Sequence, residues 1–272
     1  MSVTVTETNN NVTITGSYFF PPASYIQDAI TEQFIRSQDA YDPAEVARLY
    51  SDFTGTFDPF SFCSGTIGAP GSGFYQFVTG DPTLFGVITI VTNGLSSGCR
   101  AGLFATPLDN NGNNVLRGFI FGIAQARLKA KCSFVIGLQT SRVVVGCAVT
   151  HAGNDVSGGK LMMQYGIAFV AYGTGGNWIA TTADNNVLTE VDTGVPASQW
   201  SNLEIIVSAD GNTATWLIDG VVKRTSTNGP FFDYNANACA WGIEMRDKLA
   251  GGAGSPSQFS IDYMLVERTA SR

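Results

Sequence analysis

The amino-acid sequence predicts an all-β protein, a sandwich of two antiparallel sheets, and three observations carry that reading. Trp200–Arg224 alternates as a meander: Leu203, Ile205 and Val207 share one face of a strand, Trp216 and Ile218 share one face of the next, and Asp210-Gly211 lies between them. A second pair, Asp219-Gly220, turns the chain into Val221-Val222, and both pairs tolerate the positive φ that two-residue hairpins demand. Glycine at 31 residues, with only 14% charged residues and abundant Thr, Val, Asn and Phe, describes a turn-rich β protein and excludes helix-rich and disordered classes. Short apolar runs recur down the chain between turn signals without a fixed repeat, which favours a sandwich or jelly roll over a propeller or solenoid.

Taken in order, Val3–Thr15 reads as two strand-like pieces around an Asn-rich turn, a hairpin too small to stand alone. After Pro21-Pro22, Ser24 caps a helix with Gln27 three residues on and Ile26, Ile30 and Phe34 along one face. A second helix start is expected at Asp42-Pro43-Ala44-Glu45, leading into Val46, Leu49 and Tyr50. The composition then shifts, so residues 1–50 are expected to be a small β-hairpin and helical segment and residues 51–272 the β domain. Strands are expected at Gly73–Val78, Gly86–Thr92, Arg100–Thr106, Leu116–Ile123, Phe134–Leu138, Val143–Val149, Met162–Tyr172 and Trp178–Thr182. The meander follows, then Ala238–Met245 and Phe259–Val266. Asp81-Pro82, Asn93-Gly94, Asn111-Gly112 and Gly175-Gly176-Asn177 are among the turns between them.

At 272 residues the chain can bury a substantial core. Its 15 Lys and Arg against 22 Asp and Glu give a formal charge of −7, and the basic residues stand singly, which argues against nucleic acid or an anionic membrane as partner. No apolar run reaches bilayer length and the start lacks a signal-peptide pattern, so synthesis in a cytosol is expected. Cys63, Cys99, Cys132, Cys147 and Cys239 are odd in number, widely spaced and flanked by apolar or small residues, which suits buried free thiols.

The order of several strings resembles the concanavalin A-like lectin/glucanase jelly rolls of bacteriophage virion proteins. These are G-S-G-F-Y-Q-F, G-V-I-T-I-V-T-N-G, N-W-I-A-T-T, V-D-T-G-V-P-A-S-Q-W-S-N-L-E-I-I-V-S-A-D-G-N-T-A-T-W-L-I-D-G-V-V and the closing I-D-Y-M-L-V-E-R-T. The resemblance covers about Ser51 to Thr269. It implies a jelly roll displayed on the virion surface as a fibre, spike or capsid decoration. The same resemblance implies a homo-oligomer, a trimer, attached to other virion proteins through residues 1–50 and meeting host cell-surface polysaccharide. The expectation is a non-enzymatic protein without cofactor or metal. Two alternatives stay open: a capsid-stabilising decoration, and a polysaccharide-cleaving hydrolase on the same fold.

Glucanases of this fold hydrolyse with paired carboxylates, commonly in an E-x-D-x-x-E pattern, and no such string occurs. Glu190 with Asp192 would share a face if extended but read as loop charges, while Glu244 and Asp247 fall on opposite faces of a strand. His151, the single histidine, has no matched nucleophile motif. Asp109-Asn110-Asn111-Gly112-Asn113 and Asp210-Gly211-Asn212 read as turns rather than calcium loops. A glycan site needs an aromatic face and amide or carboxylate groups, and Tyr172, Asn177 and Trp178 supply these around one glycine turn. Trp200, Trp216 and Trp241 are expected in the core, and Phe231-Phe232-Asp233-Tyr234 forms a second aromatic cluster.

Overall fold

The computed structural model describes residues 4–8, 11–15, 46–53, 61–66, 73–77, 86–92, 99–104, 125–136, 141–150, 156–157, 160–161, 163–173, 175–184, 187–227, 229, 240–247 and 257–269. The chain divides into two compact units, Met1–Pro43 and Ala44–Arg272. In the first, β1 (Thr4–Thr8) and β2 (Asn11–Thr15) form an antiparallel hairpin in the register Thr4 to Thr15, as the alternation predicts. The helix expected from Ser24 lies outside the described residues.

The second unit opens with β3 (Val46–Ser51), β4 (Ser61–Thr66), β5 (Gly73–Phe77), β6 (Ile88–Thr92), β7 (Cys99–Phe104), β8 (Ala126–Ile136) and β9 (Ser141–Thr150). A short pair, β10 (Val156–Ser157) and β11 (Lys160–Leu161), precedes β12 (Met163–Tyr172), β13 (Asn177–Asp184) and β14 (Val187–Pro196). The chain continues through β15 (Ser201–Val207), β16 (Ala214–Ile218), β17 (Val221–Ser226), β18 (Ala240–Asp247) and β19 (Gln258–Thr269). One sheet has seven strands in the order β14-β13-β12-β9-β18-β7-β4. The other has eight: β17-β16-β15-β8-β19-β6-β5, with β3 also on β19. All pairings are antiparallel, and no helix occurs among the described residues. The fold is an antiparallel two-sheet jelly roll.

The meander forms as the sequence predicts, β15, β16 and β17 lying side by side. Asp219 and Gly220 take φ of 50° and 78°, the left-handed pair of a two-residue hairpin, and the Asp219 carboxylate accepts from the Asn202 amide at 2.9 Å. The core fills between the sheets with Trp178, Trp216, Phe134, Phe169 and Phe259, all fully buried. Trp178 meets Phe169 and Phe259 edge to face at 6.4 and 6.3 Å, and the Trp216 indole donates across to the Ala168 carbonyl at 3.0 Å.

Three expectations are corrected. Residues 46–51 are a strand, not a helix, paired with the C-terminal strand from Val46 to Thr269 through Ser51 to Met264. A cap is worth about 1 kcal/mol, and a helix this short is marginal in water; a full antiparallel ladder satisfies the same backbone. The second unit accordingly begins ahead of Ser51. Glu190 and Asp192 stand not on a loop but on Val187–Pro196, a ten-residue edge strand. Trp200 is 39% exposed with Lys131 Nζ 5.9 Å above its ring, because the inward positions of β15 are Ser201, Leu203, Ile205 and Val207 and the tryptophan stands just ahead of them. Trp241 lies on β18, its side chain outside the described residues, as are the expected strand Leu116–Ile123 and the cluster Phe231–Tyr234.

Candidate functional site

Alternation gives the seven-stranded sheet two unlike faces. Val143, Val145, Ile167, Phe169, Ala171, Trp178, Ala180, Ile243 and Met245 enter the main core, whereas Val144, Ala168, Val170 and Ala183 form a separate cluster on the opposite side, with Tyr172 and Leu188 packed against it. On this outward face the register builds three rows across the strands. One runs Tyr172, Arg142, Arg246, Arg100; the next Asp192, Ile179, Val170, Val144, Glu244, Gly102; the third Glu190, Thr181, Ala168, Gly146, Gly242, Phe104.

The centre is floored by residues with little side chain. A Cβ at Gly146 would lie 2.3 Å from the Ile167 carbonyl oxygen and 2.6 Å from the Ala168 Cα, so only glycine fits there. Beside this floor the Arg142 guanidinium sits 4.7 Å from the Tyr172 ring centroid, and Arg142 is only 6% exposed. Burial draws the Arg142 guanidinium below its ordinary range, with Tyr172 acting in the opposite sense. An arginine so placed stays charged at neutral pH. The Tyr172 hydroxyl donates to the Glu190 carboxylate.

The structure therefore joins two sets of residues that the sequence keeps apart. Glu190 and Asp192 do share a face, on β14, and each meets a residue of the aromatic hairpin: Tyr172 holds Glu190, and Asn177 Nδ2 donates to Asp192 at 3.0 and 3.2 Å. The Gly194 amide also donates to Asp192, at 2.8 Å. Trp178 is a correction. With 0% exposure it belongs to the core, because one step along β13 reverses the face, and its ring offers no surface to a ligand. Among the described residues its Nε1 has no hydrogen-bond partner.

Arg142 and Arg224 escaped the sequence reading. Arg224 reaches from β17 in the other sheet and donates to the carbonyls of Ala180 and Thr189 at 2.7 and 2.9 Å and to the Thr182 hydroxyl at 3.0 Å, with its guanidinium 4.9 Å from the Trp216 ring centroid. It thus grips β13 and β14 beside the Thr181–Glu190 pair. A signal for β14 is present in hindsight: Val187, Thr189, Val191, Thr193 and Val195 place a β-branched residue at every second position.

Glu244 is buried on β18, and Asp247 falls on the other face, as predicted. Cys132 and Cys147 are buried and in no disulfide, and burial pushes the Cys132 thiol far up. His151 and Asp109–Asn113 lie outside the described residues. Among the described residues no group of His, Cys, Asp or Glu is arranged to hold a metal ion. The face thus offers a phenol, a guanidinium and carboxylates, groups that bond hydroxyls and exchange protons.

No protein-family model and no curated protein matches the sequence. Solved structures do. A protein of unknown function, SO2946 from Shewanella oneidensis MR-1, aligns at 14% identity over 95% of this chain and 99% of its own, with a TM-score of 0.60. Alginate lyase A1-II', of polysaccharide lyase family 7, aligns at 12% identity over 81% of this chain and 97% of its own, TM-score 0.53. The CBM2 module of the evolved Dit of Lactobacillus casei BL23 phage J-1 aligns at 12% identity over 84% and 97%, TM-score 0.51. These likenesses establish the jelly-roll fold of carbohydrate-binding and polysaccharide-lyase domains. They also correct the expectation of a non-enzymatic protein, since alginate lyases are enzymes built on this fold.

Proposed function

We propose that this chain recognises polysaccharide through the outward face of its seven-stranded sheet, with Tyr172 and Glu190 as the contact group and the buried Arg142 positioning the Tyr172 ring. The observation that carries the reading is the half-buried Tyr172 phenol, its ring beside Arg142 and its hydroxyl on Glu190, at the margin of a glycine and alanine floor. Such a group supplies an aromatic surface for sugar C–H groups, donors and acceptors for hydroxyls, and room for the polymer to lie flat. Display on a virion as a trimer, attached to other virion proteins through residues 1–50, belongs to the same proposal, and the phage J-1 module of the same fold is what supports a phage setting for it. Weak sites repeated on a rigid particle gain avidity. Cleavage of the bound polymer is a second reading, favoured by the hydrogen-bonded phenol and carboxylate of Tyr172 and Glu190, between which a proton can pass.

The test titrates the full chain, and its Tyr172→Phe and Glu190→Gln variants, against soluble polysaccharides by calorimetry. The reading expects saturable binding that each substitution weakens about tenfold, with the thermal midpoint held within about 2 °C. Absence of binding to any polysaccharide, or equal binding by all three proteins, overturns it. New reducing ends in the wild-type mixture that vanish with Glu190→Gln establish cleavage; an unchanged chain length rules it out.

A further inference from the structure

The outward face of the eight-stranded sheet carries a second set of aromatic side chains, on the other side of the sandwich from Tyr172. Trp200, just ahead of β15, shares the outward parity of Asn202 and is 39% exposed; Tyr50 on β3 stands opposite Leu265, between the buried Met264 and Val266, and is 48% exposed. Tyr263 lies between them. It pairs with Lys131 on β8, and Lys131 pairs in turn with Asn202 on β15. Because the Tyr263 hydroxyl donates to Asn202 Oδ1 at 2.7 Å, the phenol crosses β8, two strand spacings or about 10 Å, and so lies along the sheet. The Tyr50 ring follows at 6.3 Å. From β15 to β3 the three rings span about 14 Å.

Fixed polar groups border these rings. The register of β19 on β8 shifts between Ile261 and Tyr263, which leaves Asp262 as the extra residue of a bulge. Asp262 accepts from Lys131 Nζ at 2.6 Å, and the same ammonium stands 5.9 Å from the Trp200 ring centroid. Asn202 accepts from Tyr263 and donates through Nδ2 to Asp219 at 3.1 Å, so its side chain is held at both ends.

We infer that Trp200, Tyr263 and Tyr50 form a second carbohydrate site, one that takes a neutral glycan. The rings offer flat apolar surface to sugar C–H groups, while Asp262, Lys131 and Asn202 supply acceptors and donors for hydroxyls. Two carboxylates, Asp262 and Asp219, stand around the single ammonium of Lys131, a balance that repels an anionic sugar and leaves an uncharged one indifferent. Strands and the bulge hold the polar groups in place before a ligand arrives, so little ordering opposes binding. This site is independent of the contact group on the seven-stranded sheet. With sites facing opposite ways, one domain can hold two glycan chains.

The full-length protein is titrated with three neutral polymers, dextran, mannan and laminarin, and with alginate, by calorimetry and by tryptophan emission. Trp178 and Trp216 are fully buried, so the exposed Trp200 is the ring whose emission a ligand on this face would change. The expected result is saturable binding of at least one neutral polymer, unchanged between low and high salt. Trp200→Ala should weaken it at least about tenfold and abolish the emission change, and Trp200→Tyr should recover part of the affinity. The thermal midpoint of Trp200→Ala should stay within about 2 °C; if that variant fails to fold, Tyr50→Ala decides by the same loss of affinity. Binding of none of the three neutral polymers overturns the inference. Neutral-polymer binding that survives Trp200→Ala but is lost in Tyr172→Phe also overturns it, and leaves the reading of the seven-stranded face standing. Alginate binding that is lost in Trp200→Ala and weakened by salt overturns the neutral class of ligand.

Discussion

Arg224 donates from the edge of one sheet to the carbonyl oxygen of Ala180 in the other, at 2.7 Å. The same side chain reaches Thr189 and Thr182, so a single residue ties together the two strands that carry Thr181 and Glu190. Burial draws its guanidinium below the ordinary range without discharging it. Hydrogen bonds from a charged donor contribute more than neutral ones, and three are lost here. Arg224→Ala should therefore lower the unfolding free energy by about 3 kcal/mol, read by urea denaturation. Arg224→Lys, with one ammonium in place of the planar fork, should recover less than half of that. Full stability in the alanine variant would show that the clamp is incidental.

Trp178 gives the second expectation. It lies between Phe169 of its own sheet and Phe259 of the other, so Trp178→Ala should cost about 3–5 kcal/mol. Trp178→Phe should cost much less than the alanine change, because the indole Nε1–H removed with it has no partner among the described residues. Thermal or urea unfolding distinguishes the two. A tryptophan that contacts sugar would behave in the opposite way, losing binding while keeping its midpoint.

Tyr263 supplies a pH dependence. Burial pushes its hydroxyl up to about 12 from 10.0, with Tyr50, whose ring lies 6.3 Å away, and Asp262 acting in the same direction. Between about pH 10 and about 12 the unfolded chain loses this proton while the folded chain keeps it, so the folded state binds more protons and stability falls as pH rises. Below pH 10 both states are protonated and the contribution is complete. Tyr263→Phe should flatten the decline in stability over that window, and it should also cost the hydrogen bond to Asn202 Oδ1 at 2.7 Å at neutral pH. An ultraviolet titration of the folded protein should show a tyrosine ionisation near 12 that is absent from Tyr263→Phe.

Much of the fold is legible from neighbours in the chain. Asp219-Gly220 dictates a left-handed turn through its own backbone preference, and the alternation of Leu203, Ile205 and Val207 states which side of β15 is buried. The jelly roll follows from many such local statements. β3 shows where this stops: Asp42-Pro43-Ala44-Glu45 carries a helix start, yet residues 46–51 pair with a strand that begins at Gln258. A local signal of about 1 kcal/mol yields to a ladder made with a distant segment.

The candidate site divides in the same way. Tyr172 and Asn177 were recognisable because one glycine turn holds both, and the opposite facing of Trp178 follows from period-two alternation once the strand is known. The meeting of Tyr172 with Glu190, like the register that sets the Arg142 position opposite that of Arg246, is absent from any local window. It arises because β9 and β18 are neighbours in the sheet though far apart in the chain, a pairing chosen by burial of Val143, Val145, Ile243 and Met245 on the other face. The sequence by itself determined strands, turns and the inward side of each; the tertiary structure decided which outward residues stand together, since strand order is set by core packing and the outward side chains are carried along with it.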